Sequence, residues 1–503
     1  MNIPYILTII TFFPLIAGGI PILFMRKEDE KAIKRWSVLV SLIPLALSIY
    51  LWATYDPAAG LVVTEEQLWI PGLDVFYRLG VDGINLPLIF LTTLLSTLSL
   101  YYSTHVIKER VKEYFLMFLL LETGLMGVFV SLDFFLFYVF WEIELVPMYF
   151  IIGIWGHERR EYAAMKFFIY TLAGSVLMLL AMLGIYFSTG TFSLVDLPGM
   201  QLFGGNLTLQ SLAFWGIFIA LAIKVPSWPF HTWLPDAHVE APTAGSVMLA
   251  GILLKLGTFG FLRILLPIFP KAAHAFAIPI AILAIISIIY GALVSMAQTN
   301  LKRLIAYSSV NHMGYVMLGV AAAAYATGTE GKVLVDRAIA LNGATLQMVN
   351  HGIITGALFF LAGMLYHRTH SYELDAYGGL GAVVPVYYAI VAFMSMASLG
   401  LPGLAGFVGE FLVFRGAFAI MPYIAAFGVI GIVVTAAFFL WKIIQTIFLG
   451  PLNERWRDLP DLHRYELISL APLLVLTLAI GVYPAPILNL INSGVVKVIQ
   501  LMG

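Results

Sequence analysis

The 503-residue sequence contains no cysteine, and only 11% of its residues are charged. Without cysteine the chain provides no ligands for an iron–sulfur cluster or a thiolate-bound metal, and it forms no disulfides. Soluble domains carry about 25% charged residues, so water is not the main solvent here. The net charge of -1 argues against a nucleic-acid surface. No glycine-rich nucleotide motif or metal-ligand cluster indicates an enzyme that acts by itself.

Apolar residues make up 61% of the chain, and the mean hydropathy is +0.94. Runs of about twenty apolar residues recur, and each is long enough to cross a hydrocarbon core of about 30 Å as a helix. The sequence therefore predicts an all-α polytopic membrane protein with about fourteen transmembrane helices. The predicted spans are 4–25, 35–53, 83–107, 113–131, 133–155, 163–188, 211–235, 241–266, 275–297, 302–324, 338–366, 382–420, 422–449 and 464–491.

Two of these spans contain proline beside small residues, at 224–229 and at 400–406. Proline removes a backbone donor and clashes with the preceding turn, so each span is predicted to be a broken helix with free carbonyls at mid-depth. Paired broken helices indicate an ion site in transporters, although packing kinks are an open alternative. Their spacing predicts two five-helix inverted repeats. The predicted organisation is a three-helix segment at 1–112, repeats at 113–266 and 267–449, and a C-terminal helix at 450–503.

Lysine and arginine are distributed unevenly between the predicted loops. Cytoplasmic loops carry an excess of these residues, and an N-terminus outside the cell gives an excess of about three to one on the inner side. An even number of spans then places both termini on the outer side. The connections at 53–82 and 189–210 are too short for a soluble domain, so function is expected in or beside the membrane.

Several ionisable residues fall inside the predicted spans, where each costs about 2.5–3.5 kcal/mol by insertion scales. Such residues pair or line a wet path, and a chain of acids and bases passes protons. For Lys224 and Lys255 the alternative is a structural role, and for the histidines it is a satisfied core position. The candidate relay residues are Glu142, Glu144, Lys224, Lys255, His312, His351 and Glu410.

Glu142 and Glu144 are two residues apart on a helix and point about 200° apart, so they do not share one neighbour. One is expected in the relay and the other in the scaffold. Lys442 comes late in its span, where a lysine can extend to the interface. His231 and His238, at the end of the seventh span, are expected to shape a surface loop.

Four segments resemble one family. They are AIKVP at 222–226, PFHTWLPDAHVEAPTAGSV at 229–247, LLK at 253–255 and NLKRLIAYSS at 300–309. These segments are similar to the signature of the proton-translocating antiporter-like membrane subunits of complex I, and the likeness extends over about three quarters of the chain. The glutamate at Glu410, where other branches have lysine, and the end of the chain at Gly503 resemble the M-type branch. That branch is the counterpart of mitochondrial subunit 4 and of the cyanobacterial and plastid D chain.

The resemblance implies a role for each matching residue. Glu142, five residues before Pro147, corresponds to the family's charged glutamate and is expected to pair with Lys224. Lys255 corresponds to the central lysine, His312 and His351 to the connecting relay, and Glu410 to the group nearest the exit. The place of Glu144 stays open.

The resemblance further implies a proton-translocating subunit of an NADH–quinone oxidoreductase, driven by quinone reduction elsewhere in the complex. No cofactor is expected on this chain. NADH or ferredoxin, flavin, iron–sulfur clusters and quinone are expected on partner subunits. The expected partners are other membrane-arm subunits, including neighbouring antiporter-like chains, and the lipid of a bacterial inner membrane or a thylakoid. The alternatives are a chain of a multi-subunit sodium/proton antiporter and a structural scaffold that needs none of these charges.

Overall fold

Long helices dominate the computed structural model, which describes residues 3–503. In this part of the chain, thirteen helices are long and apolar enough to cross a membrane. The main helices are α1 (Ile6–Phe24), α2 (Glu30–Thr54), α3 (Leu86–Val106), α4 (Val111–Val130), α5 (Phe134–Trp155), α6 (Arg160–Thr189), α7 (Leu207–Lys224), α8 (Trp233–Glu240), α9 (Thr243–Ile268), α10 (Pro270–Ala275), α11 (Ala277–Ala297), α12 (Leu301–Tyr325), α13 (Gly331–Thr369), α14 (Pro385–Ser398), α15 (Ala405–Ile420), α16 (Pro422–Phe448), α17 (Arg464–Val482) and α18 (Ala485–Met502).

The predicted fold class, an all-α bundle of about fourteen crossings, is confirmed. Helix α12 is absent from the thirteen apolar helices, because polar residues such as Lys302, Asn311 and His312 lower its hydropathy. Helices α14 and α15 are each too short to be counted, and together they form the second broken crossing.

The end of the chain differs from the prediction of a single last span at 464–491 and one C-terminal helix. Helix α17 ends at Val482, and α18 begins after Pro484, because proline has no backbone donor to continue a helix. Asn492 accepts a hydrogen bond of 2.7 Å from Asn342, near the start of α13. The carbonyl of Leu490 lies against Gly83, just before α3 begins. Helix α18 therefore lies across helix ends at one face of the bundle.

Both predicted helix breaks are present. In the first break, Ser227 donates from its backbone N–H to the carbonyl of Ala222 (2.8 Å), and the indole of Trp233 donates to the carbonyl of Ile223 (2.9 Å). In the second, the backbone N–H of Leu401 donates to the carbonyl of Met396 (3.0 Å). These carbonyls at the breaks are thus satisfied within the protein, as the membrane interior requires.

The connection at 53–82, predicted only as a polar loop, contains a two-stranded antiparallel hairpin. Its strands are β1 (Val62–Ile70) and β2 (Val75–Val81). Glu65 of β1 accepts a hydrogen bond of 2.9 Å from the backbone N–H of Leu7, at the start of α1. The hairpin and α18 cover the same face, so both ends of the described chain lie on that face.

The most enclosed helices are α9 and α13. In their most apolar 18-residue stretches, 94% and 100% of the residues are buried, against 33% for α2 and α16. Each predicted repeat contains five crossings, and in each the broken crossing is the fourth. The inverted symmetry and the proposed domain boundaries stay predictions. The two central helices carry Lys255 and His351.

Candidate functional site

The first cluster lies at the end of α7, where the chain leaves the helix before Pro226. The Lys224 ammonium forms an ion pair with the Glu144 carboxylate, and the two side chains are 1% and 0% exposed. The ammonium also lies 5.2 Å from the ring centroid of Trp141 and 5.7 Å from that of Phe167. The predicted burial of Lys224 beside a helix break is therefore present, together with a counter-charge.

The expected pairing of Lys224 with Glu142 is wrong in this structure. Glu142 is only half-buried and accepts a hydrogen bond from the hydroxyl of Ser175 on α6. The reason is local geometry. The α-helical part that begins α5 ends at Ile143, and Glu144 sits at the junction, where the backbone of α4 at Gly124 packs against it. That contact directs Glu144, and not Glu142, toward Lys224.

The second cluster is centred on Lys255 in α9, whose side chain is fully buried. Its ammonium lies 2.6 Å from Nδ1 of His351 and donates to the carbonyl of Ala250. Lys255 stands between two π-helical turns, Leu249–Leu253 and Phe261–Leu265. A π-helical turn leaves a backbone carbonyl without its usual hydrogen bond from residue i+4. Such a carbonyl can accept a hydrogen bond from the Lys255 ammonium. No pattern of residues in the sequence predicts these turns.

The second cluster continues from α13 to α15. The ring centroids of His351 and His312 are 5.7 Å apart. Nδ1 of His312 lies 3.2 Å from Oε1 of Glu410, and its Nε2 lies 3.1 Å from the hydroxyl of Ser398. Gln347 donates to the same oxygen of Glu410 at 3.3 Å.

A small cavity borders this part of the cluster. It is lined by His312, Gln347, His351, Ile354, Thr355, Ala397, Ser398, Gly406 and Glu410, and about 10 Å³ of it admits the centre of a water molecule. That is room for about one water. The predicted residues Lys255, His351, His312 and Glu410 therefore form one buried polar row through the centre of the bundle.

The two clusters do not touch directly. Helices α7 and α9 pack closely at Gly257, where an added Cβ would lie 2.7 Å from the carbonyl of Leu221. Among residues 3–503, no hydrogen bond or ion pair connects Lys224 with Lys255. The expected relay stays a prediction: hydrogen-bonding contacts join Lys255 to His351 and His312 to Glu410, and among the described residues no hydrogen bond joins the two histidines.

His231 and His238 are buried and do not shape a surface loop, so that expectation is wrong. His238 is on α8 and stacks on Phe359 with ring centroids 4.5 Å apart. His231 lies 5.0 Å from the Tyr290 ring. The prediction of a surface loop was wrong because the chain turns back into the helix bundle as α8 after the break.

Lys442 is outside both clusters. It is partly exposed on α16 and lies 5.3 Å from the ring centroid of its neighbour Trp441, which is itself exposed. No ion pair to Lys442 is present among the described residues. The position fits the interpretation of a lysine that extends toward the interface.

Lys302 and Glu122 are among the buried charged residues that were missed from the sequence. Lys302, at the start of the predicted span 302–324, is fully buried at the start of α12 and donates to the carbonyls of Ala241 (2.5 Å) and Val239 (3.3 Å). Glu122 on α4 is also fully buried, and its carboxylate oxygens have no hydrogen-bond partner in the described part of the chain. Glu122 could have been identified from the sequence as an ionisable residue within an apolar run. Across residues 3–503, no group of three or more potential ligands could hold a metal ion.

Comparisons with known sequences agree on one kind of protein. A family model described as NADH:quinone oxidoreductase/Mrp antiporter, TM, matches residues 131–435. The chain is 44% identical to NADH-quinone oxidoreductase subunit M of Rhodobacter capsulatus, over 98% of this chain and 96% of that one. It is 41% identical to subunit M of Pseudomonas aeruginosa, over 100% of this chain and 98% of that one. It is also 41% identical to an NAD(P)H-quinone oxidoreductase chain 4 of Synechococcus elongatus, over 95% and 88%.

Solved structures give the same result. A chain of respiratory complex I from Thermus thermophilus with bound NADH superposes with a TM-score of 0.87 at 29% identity, over 99% of this chain and 100% of that one. A chain of the Mrp complex from Dietzia superposes with a TM-score of 0.83 at 22% identity, over 100% of both chains, which shows a shared fold.

Proposed function

Because this chain belongs to the NADH:quinone oxidoreductase/Mrp antiporter family of membrane subunits, we propose that it is the M-type subunit of an NADH–quinone oxidoreductase and carries protons through its two buried clusters. Redox chemistry on partner subunits supplies the energy. The chain itself moves no electrons.

One observation carries this proposal: the buried row of ionisable side chains from Lys255 to Glu410 at the centre of an apolar bundle, in which the rings of His351 and His312 face each other with centroids 5.7 Å apart. The Lys255 ammonium lies 2.6 Å from Nδ1 of His351, and Nδ1 of His312 lies 3.2 Å from the Glu410 carboxylate. Each of these residues exchanges a proton in water, and none of them needs a cofactor to do so. Buried ionisable groups in a membrane are costly. Their arrangement in a row therefore supports a transport path and not four independent structural roles.

The first cluster acts as the input. A signal from neighbouring subunits opens or closes the Lys224–Glu144 pair, which changes the charge felt by Lys255. Lys255 then gives its proton to His351, and the proton leaves through His312 and Glu410. This assignment replaces Glu142 by Glu144 as the partner of Lys224 and leaves Glu142 on the half-exposed side of α5.

The setting follows from the same proposal. The chain lies in a bacterial cell membrane or a thylakoid membrane, beside other antiporter-like chains. The face that holds both ends of the described chain is the outer face, because Lys and Arg are concentrated on the opposite one. NADH or ferredoxin, flavin, iron–sulfur clusters and quinone belong to partner subunits.

The experiment replaces Lys255 by Met in the assembled complex and measures protons pumped per electron in sealed membrane vesicles. We expect pumping to fall while the complex still assembles, because methionine keeps the volume of the lysine stem without a titratable group. Lys442→Met is the matched control, a membrane lysine outside both clusters, and it should pump normally. Normal pumping by Lys255→Met contradicts the proposal. Transport that needs sodium but no redox partner would instead favour the sodium/proton antiporter.

A further inference from the structure

His312 lies between the two halves of the second broken crossing and bonds to both of them. Its Nε2 lies 3.1 Å from the hydroxyl of Ser398, the last residue of α14. Its Nδ1 lies 3.2 Å from the carboxylate of Glu410 on α15. All three side chains are buried, with exposures of 3%, 3% and 6%. One imidazole thus joins two half-helices that the backbone connects only through residues 399–404.

We infer that Ser398 is a positioning residue of the relay, which holds Nδ1 of His312 on Glu410 and so makes proton transfer depend on the place of α14. This inference rests on the proposed function. No comparison assigns a role to Ser398, and the residue carries no charge that would mark it in the sequence.

The chemistry of the two side chains explains why a hydroxyl is suited to this position. A hydroxyl can donate to an unprotonated ring nitrogen or accept from a protonated one. Nε2 keeps its hydrogen in both states of the ring that the transfer step connects, so the Ser398 hydroxyl accepts from Nε2 in each of them. In the transfer step, the proton on Nδ1 of the doubly protonated ring passes to Oε1 of the Glu410 carboxylate. The ring is left neutral with its hydrogen on Nε2, donated to Ser398, and the carboxyl becomes neutral. No electron moves.

The backbone between the two halves is irregular. Gly400 and Gly403 have φ values of +83° and +93°, which favour glycine, and Leu401 donates from its backbone N–H to the carbonyl of Met396 (3.0 Å) outside the α-helical pattern. A movement of the end of α14 withdraws Ser398 from Nε2. The ring then loses the contact that fixes its orientation, and Nδ1 no longer faces Glu410.

The other groups around His312 are also titratable. His351 faces it from α13, Glu410 from α15, and Tyr315 lies 5.9 Å away on α12 itself. Lys255 acts on it through His351. A change in the pH profile caused by Ser398 must therefore be separated from their effects, which requires variants that differ in one hydroxyl alone.

The test compares Ser398→Thr with Ser398→Val in the assembled complex, because threonine and valine have nearly the same shape and differ by the hydroxyl. Ser398→Ala is the third variant. We expect the valine and alanine variants to lose pumping at the alkaline side, with the half-maximal pH lower by about one unit, because the protonated ring loses an acceptor. The threonine variant should follow the wild type. Ser295→Ala, which removes a buried hydroxyl bonded only to its own helix, should leave the profile unchanged.

Each outcome decides a separate question. If Glu410→Gln stops pumping but the threonine and valine variants have the same profile, the role of Ser398 is refuted and the proposed function stands. If Glu410→Gln pumps normally, the proposed function itself fails. Native gels of each variant establish assembly. If Ser398→Ala does not assemble, the threonine and valine pair decides the question.

Discussion

The choice between Glu142 and Glu144 as the partner of Lys224 gives the sharpest prediction. Glu144→Gln leaves the Lys224 ammonium buried without a counter-charge. Both groups of this pair are almost completely buried, so solvent screening does not reduce the effect. Breaking such a pair costs about 3–5 kcal/mol of stability, because it leaves an uncompensated buried charge. Pumping through the first cluster should fall accordingly.

Glu142→Gln removes a charge that is half-exposed and bonded to Ser175. A hydrogen bond of this kind contributes about 1 kcal/mol of stability after solvent screening, which corresponds to a factor of about five in an equilibrium constant. We therefore expect a much smaller loss of pumping than for Glu144→Gln. Glu161→Gln, at the exposed start of α6, is the neutral control.

The assay follows acidification of sealed vesicles together with the rate of quinone reduction. A loss of pumping per electron at an unchanged amount of complex identifies the transport step. The reasoning is refuted if Glu142→Gln stops pumping while Glu144→Gln pumps at the wild-type ratio, because the structural pairing would then not be the functional one.

Two further predictions concern stability. Arg368 donates to both oxygens of the buried Glu466 carboxylate at 2.7 and 2.5 Å. Arg368→Ala should therefore destabilise the fold by about 3–5 kcal/mol and lower the thermal midpoint of the solubilised complex. An unchanged midpoint contradicts this prediction. At Gly481, an added Cβ would overlap the backbone of Gly403 and Leu404, so Gly481→Val should reduce the amount of assembled complex on native gels, while Gly72→Val, which meets open space, should not. Equal yields of the two variants would show that α17 tolerates a larger separation from the break.

The sequence predicted the crossings and both breaks because the signals are local. An apolar run of about twenty residues is sufficient to identify a crossing, and a proline beside lysine or glycine is sufficient to place a break. The division after Val482 was missed although Pro484 marks it, because the apolar run continues on both sides. The hairpin at β1 and β2 was missed because it lies outside the membrane, where apolar length carries no information.

The pairing of side chains could not be predicted in the same way. Helix geometry established that Glu142 and Glu144 point in different directions, but the choice depends on the contact of Glu144 with Gly124, which is distant in sequence. The contacts of Lys255 likewise depend on two π-helical turns that leave no recognisable pattern of residues. Ser398 escaped notice because a serine in an apolar helix is common.

The distribution of charge between the two clusters gives the proposed relay its direction. Lys224 has a carboxylate partner, so the first cluster is close to neutral when the pair is closed. Lys255 has none, and its nearest partners are a ring nitrogen and a carbonyl. A buried ammonium without a counter-charge is costly. Transfer of its proton to His351 moves the positive charge one residue closer to Glu410, whose carboxylate beyond His312 attracts the proton onward. Opening the Lys224–Glu144 pair changes the field at Lys255 without a bond between the two lysines, and this is how separate clusters can act in sequence.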